Sequence, residues 1–369
     1  MDVMMQGIEE AKERVRALYG ENKRITDGNY ERSLAVKCQN GTFVGKRTDE
    51  NVIAYRGIPF VGKQPVGELR WKAPVDCVPD DGVYEAYYFG KAPRQIGDIS
   101  QVGSFYPQGE DCLNLNVWKA DNTGAEKKPV MVWIHGGAFE IGATAEPREE
   151  GTNFVKENPD VILVSVEYRL GVFGFFHLSH LPDGGDYPDA QNLGLLDQVM
   201  GLKWIHENIA FFGGDPDNIA LAGESAGSAA VSALCTSPLA SGSFKRVVME
   251  SSTVASVTPP HSYRSLKEAL ASGKKLKEEY QVTSVEELRS LPADKLVREA
   301  SSQHHITVDG YVLVEDPYLS YLKGIHNEEA IFHGYNKEES GPFILFSQAN
   351  LKNYEQKIRA YFGEYADRV

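Results

Sequence analysis

The chain has 369 residues, 42% of them apolar, and 52 acidic against 38 basic side chains for a formal charge of -14. That length supports one large core or two domains. The acidic balance, with no long basic run, argues against nucleic acid as a partner, and no window approaches the roughly 18 apolar residues of a membrane span.

Met1 to Gly7 has neither a basic stretch nor a continuous apolar core, so it does not read as a secretory signal. Ile8, Ala11, Val15 and Leu18 recur at helical spacing up to Gly20 and predict a surface helix. Gly20 to Arg32 is polar and reads as a linker. The expected division is therefore residues 1–32, helix and linker, and residues 33–369, the main domain. Ser33 to Phe43 and Val52 to Phe60 predict antiparallel strands, and Leu113 to Trp118 another. The stretch between them, Gly62 to Gln95, is rich in Pro and Gly and reads as ordered loop.

The pattern then changes. Val130–Ile134, Val161–Val166, Ile219–Leu221, Val247–Met249 and Ala330–Phe332 are continuous apolar runs, as expected of strands covered on both faces. Helical patterns lie between them, notably Leu195 to Asn208 and Tyr263 to Tyr280. Ser284 with Glu287 predicts a capping box, and Leu351 to Phe362 a last helix. Alternating strand and helix predicts a mostly parallel, doubly wound α/β sheet. The four cysteines are widely spaced with no C-x-x-C, which points to neither zinc nor a disulfide framework and suits a reducing cytoplasm.

Two stretches carry the chemistry. Gly223-Glu224-Ser225-Ala226-Gly227 is a Gly-x-Ser-x-Gly turn between a short apolar strand and a small-residue helix. In that context it predicts a nucleophile elbow, with Ser225 raised above the sheet at a helix N-terminus. His135-Gly136-Gly137-Ala138 directly follows the Val130–Ile134 run, where glycines let successive N–H groups turn toward one oxyanion. Chemistry in such sheets collects at the carboxyl ends of the strands, so both stretches and the segment after Phe332 are expected on one rim.

The chain resembles the type-B carboxylesterase/lipase family of α/β-hydrolases, which includes the cholinesterases. The resemblance runs from about Leu34 to Phe346. It is carried by Arg56-Gly57-Ile58-Pro59-Phe60, Pro65 to Trp71, Glu110-Asp111-Cys112-Leu113, Tyr168-Arg169-Leu170-Gly171, Gly194 to Gln198, and Trp204 through Pro216 to the elbow. It implies an α/β-hydrolase fold with N-terminal antiparallel strands and a serine esterase acting on a small-molecule ester, with no metal or cofactor. Ser225 matches the nucleophile. The oxyanion donors fall on Gly137, Ala138 and Ala226, with Gly136 shaping the loop. The acid matches Glu339, with Glu338 as the near alternative. The pairs Arg70 with Glu110 and Arg169 with Asp197 match scaffold salt bridges, and Glu224 a buried supporting group.

Two departures stand out. The family often pairs the cysteine matching Cys112, but the partner position here is Ala92, so Cys112 is expected to be a free buried thiol. Second, this fold orders its triad serine, acid, histidine. No histidine follows Glu339, so the base, with the last sheet strands, is expected beyond Val369. His177, His180, His206, His261, His304, His305 and His326 are expected to be packed or solvated. Rival readings are a non-catalytic interaction protein on this fold, or a lipase or peptidase.

Overall fold

The computed structural model describes residues 13, 16–49, 51–96, 107–121, 126–252, 263–299, 304–337, 339, 350 and 352–362. It divides into two units, residues 1–333 and residues 334–369. Most of the predicted N-terminal helix, His261 and Glu338 lie outside the described residues.

Eight strands form the central sheet: β1 (Lys46–Asp49), β2 (Val52–Pro59), β3 (Asn114–Ala120), β4 (Lys128–Ile134), β5 (Ile162–Val166), β6 (Gly214–Glu224), β7 (Arg246–Glu250) and β8 (Ala330–Gly334). Their order across the sheet is β8-β7-β6-β4-β5-β3-β2-β1. β5, β4, β6 and β7 pair in parallel. β1, β2 and β3 add on antiparallel beyond β5. This is the α/β-hydrolase arrangement expected from the sequence.

The apolar runs of β4, β5 and β6 form the sheet's centre, whereas the Ala330–Phe332 run, expected to be covered on both faces, is the exposed terminal strand β8. Val132, Ile134, Val164, Val166, Ile219 and Leu221 are all buried. Burying each such side chain contributes about 1.5–3 kcal/mol relative to leaving it exposed. Helix α1 (Leu193–Asn208) buries Leu195, Leu196, Leu202 and Ile205. Helix α2 (Ala226–Thr236) follows β6, and every one of its residues is buried. Its small side chains permit that close surround. Its hydroxyls are satisfied locally: Ser228 Oγ donates to Ser252 O at 2.8 Å, and Ser232 Oγ to Met249 Sδ at 3.4 Å.

Several local expectations change. The antiparallel strands expected in Ser33 to Phe43 form a hairpin, Ala35–Cys38 with Gly41–Val44, but outside the central sheet. Its outer partner is Val83–Glu85, a strand inside the stretch expected to be loop. The polar segment after Gly20 is pinned rather than loose: Asn22 Nδ2 donates to Arg56 O and Tyr88 O, and Ile25 N donates to Val83 O. Ser284 does accept from Glu287 N at the start of a helix, Val285–Ser290, but Glu287 Oε2 accepts from Thr283 instead of closing the box. The reciprocal box forms at Ser265 and Glu268, opening α3 (Leu266–Tyr280).

Candidate active site

Parallel pairing of β4 and β6 puts Ile134 opposite Gly223, so both strands end on the same rim. Ser225 comes immediately after β6. Its φ is +55° with ψ −121°, a conformation that a non-glycine residue holds only when its surroundings impose it. Those surroundings are backbone. A Cβ on Gly223 would lie 2.6 Å from Gly227 C, and one on Gly227 2.1 Å from Ile134 O. Both positions therefore require glycine. Ser225 N donates to Glu250 O of β7 at 2.9 Å, which ties the turn to the next strand.

Ser225 is the N-cap of α2, where a serine hydroxyl ordinarily accepts from an N–H of the first turn. Here it makes no such bond. Among the described residues its Oγ has no hydrogen-bond partner at all. The hydroxyl is half-buried and held clear of the helix that it begins.

The loop after β4 stands against it. A Cβ on Gly136 would come within 3.2 Å of Ser225 Cβ and 2.7 Å of Glu224 O. The loop then turns through φ values of +107° at Gly137, +56° at Ala138 and +63° at Phe139. Gly137 O accepts from the N–H groups of Glu140 and Ile141, closing the turn. Among the described residues the N–H groups of Gly137 and Ala138 have no acceptor. Ala226 is the first helical residue, so its N–H has no intrahelical acceptor. A concentration of unused donors beside a free hydroxyl can stabilise charge that develops on a carbonyl oxygen.

Under the loop sits a polar cluster. His135 is buried, its Nδ1 is 2.9 Å from Gly136 O, and its ring stacks on Tyr168 with centroids 4.5 Å apart. Tyr168 Oη donates to His135 O at 2.7 Å. Glu167, also buried, accepts at Oε1 from Thr144 N and Thr144 Oγ1, and its Oε2 lies 3.4 Å from His135 Nε2. Burial pushes the His135 pKa down, but Glu167 beside it and the charge of Glu149 outweigh it and the net shift is upward. Sequence reasoning did not single out Glu167. The signal it left was an acid directly after the five buried residues of β5.

The remaining predicted residues fall as follows. Glu339 lies in the second unit, after β8, half-buried, with Oε1 accepting from Asn336 N at 2.6 Å. Arg70 grips Glu110 through two bonds of 2.6 and 2.5 Å, and Arg169 grips the buried Asp197 through bonds of 2.8 and 2.7 Å. Both are scaffold pairs, as expected. Glu224 is half-buried rather than buried. Cys38, Cys77, Cys112 and Cys235 are free thiols, and burial drives the Cys112 pKa well up.

Of the histidines named from the sequence, three bond to groups other than Ser225. His177 meets Gln191 and Ser179, His304 Nδ1 meets Glu140 Oε1 at 2.8 Å, and His326 meets Glu328. His206 is exposed. Burial, with the charges of His177 and Lys277 adding to it, lowers the His180 pKa to about 4.

A family model described as "Carboxylesterase family" matches residues 32–365. The chain is 43% identical over 225 residues to a para-nitrobenzyl esterase of Bacillus subtilis (strain 168), covering 60% of this chain and 44% of that protein. It is 34% identical over 347 residues to a phenmedipham hydrolase of Pseudarthrobacter oxydans, covering 88% and 66% respectively. The structure superposes on a crystallised Geobacillus stearothermophilus carboxylesterase with a TM-score of 0.80 at 36% identity, over 89% of this chain and 68% of that one. The chain thus spans about half to two thirds of the length of these curated relatives.

Proposed function

The chain belongs to the carboxylesterase family, and from that premise we propose that it carries the nucleophile and oxyanion site of a serine carboxylesterase. Ser225 Oγ attacks the carbonyl carbon of a small ester. The carbonyl oxygen takes up the negative charge and is met by the N–H groups of Gly137, Ala138 and Ala226. The C–O bond to the alcohol breaks, the alcohol leaves with a proton, and the acyl group remains on Ser225. Water then adds to the acyl-enzyme and releases the acid.

The observation that carries this reading is the free hydroxyl. Ser225 occupies a strained N-cap without capping, next to a loop whose donors are also unused. Proton transfer needs a base oriented by a carboxylate. Glu339 is proposed as that carboxylate, with its histidine in sequence outside these 369 residues. The four free thiols support a reducing, cytoplasmic setting.

Hydrolysis of a short-chain aryl ester tests the proposal. The 369-residue chain alone should turn over on the order of 10⁶ more slowly than a form extended past Val369, as when a serine hydrolase loses its histidine. Ordinary rates from the chain alone, abolished by Ser225→Ala, would place the base inside it. His304 and His305 would then be the first to replace.

A further inference from the structure

Both nitrogens of the His135 ring face oxygens that accept. Gly136 O is a carbonyl and has no proton to give. Glu167 accepts two hydrogen bonds from Thr144, both at Oε1, and its other oxygen lies 3.4 Å from His135 Nε2, an ion-pair contact rather than a hydrogen bond. An imidazolium puts a proton on each nitrogen, one toward Gly136 O and one toward Glu167 Oε2. The charge balance agrees. Glu167 is buried, and among the described residues its only cationic neighbour in ion-pair range is His135. A buried carboxylate left without a partner is strongly unfavourable, because no water replaces the lost cation.

The consequence lies one bond away. A peptide group is planar and trans, so its C=O and N–H point in opposite directions. Anchoring Gly136 O on His135 therefore aims the N–H of Gly137 away from the ring. A charge-assisted bond to that carbonyl also polarises the amide and strengthens its N–H as a donor. Gly142 allows the ring this position, since a Cβ there would lie 2.4 Å from His135 Nδ1.

We propose that His135 is held as an imidazolium by Glu167 beneath the loop, and that it orients and polarises the Gly136–Gly137 peptide whose N–H meets the oxyanion. His135 is thus a positioning residue that acts through the loop. The inference rests on the esterase reading for its catalytic meaning but not for its geometry. The other ionisable groups are Glu149, held by Trp133 Nε1 and by Arg148, and the stacked Tyr168, while Glu224 of the elbow lies against Gly136. Burial is the first cause that raises the Glu149 pKa, and Arg148 lies within reach of Glu146 as well.

The test is NMR of the whole chain, with 15N in the histidine rings and in the backbone. One ring should keep two N–H groups through the range in which ordinary histidines lose theirs, about pH 6.5. That signal should vanish in His135→Gln, persist in Ser225→Ala, and fall back to ordinary titration in Glu167→Gln. The Gly137 amide should shift with the same titration, and in His135→Gln it should lose that step. A His135 ring that is neutral where the other histidines are neutral overturns the proposal, as does a Gly137 amide indifferent to it. If His135→Gln fails to fold, Glu167→Gln carries the same comparison with the ring in place. In a hydrolysing form, His135→Gln should lower kcat about 10²-fold with KM unchanged, the size expected for one oxyanion donor, and an unchanged kcat would overturn the catalytic part. Should the esterase reading itself fail, Ser225→Ala would leave hydrolysis intact while the ring and amide signals stayed as described.

Discussion

The elbow and the segment bearing Glu339 each follow a strand of the central sheet, yet they are held by different means. Ser225 leaves β6, a strand with neighbours on both sides, and backbone of β4, β7 and α2 presses on its turn. Glu339 follows β8, the sheet's terminal strand, where Ile331 and Phe332 are 48% and 71% exposed. Its carboxylate bonds the backbone of Asn336, three residues away. A nucleophile can be fixed by steric exclusion because the turn permits one backbone path. A carboxylate at a sheet margin gains its role from whatever histidine meets it, so its own site places few demands on local geometry.

This contrast predicts different penalties for the two regions. In a form that turns over an aryl ester, Ser225→Ala should cost about 10⁶ in kcat and leave the melting temperature unchanged. Glu339→Gln should cost about 10⁴ in kcat, as expected for the orienting acid of a triad, with a stability change within about 1 kcal/mol. Glu338→Gln should leave turnover alone, and the reverse result would move the acid by one residue. Equal losses of kcat at Ser225 and Glu339 would break the contrast.

Stability shows the elbow's side of it. Gly227→Ala puts a methyl 2.1 Å from Ile134 O. The substitution should cost roughly 3 kcal/mol, read by urea denaturation, because neither strand nor helix can withdraw. The smallest expected effect is with pH. Burial raises the Glu150 pKa, but the hydrogen bond and charge of Arg56, with Thr152, outweigh it and hold the carboxyl below its ordinary range. A lowered carboxylate pKa gives stability that is present above the unfolded value and lost as pH falls through the folded one. Thermal melts should therefore lose stability on the acid side of about pH 4.5 in the wild type and in Glu339→Gln alike. Arg56→Gln should remove that part of the slope.

Much of the molecule was legible because its signals are local. Val130–Ile134 and Val161–Val166 had to be doubly covered strands, since continuous apolar runs leave no face for water. Gly223 and Gly227 marked a turn too tight for side chains. The Gly62 to Gln95 stretch was misread in part, because the short strand Val83–Glu85 forms only by pairing with Gly41–Val44 and leaves little local pattern. The capping box went to Ser265 rather than Ser284 because a glutamate three residues on can reach either the cap or its neighbour, and only the local backbone path chooses.

The sequence by itself determined the sheet's core strands, the elbow, the glycine turn after β4 and the two scaffold salt bridges, because each is written in a run or motif whose residue types admit one backbone arrangement. The tertiary structure alone decided that the Ser225 hydroxyl stays out of the helix cap, that Gly136 meets the serine, and that Glu167 closes on His135. Those relations join residues from separate strands, at positions 32 apart for His135 and Glu167, and parallel pairing of β4 with β5 and β6 is what brings them to one rim. No spacing along a chain encodes a distance between strands, since that is set by register, and register is settled only when the whole sheet packs.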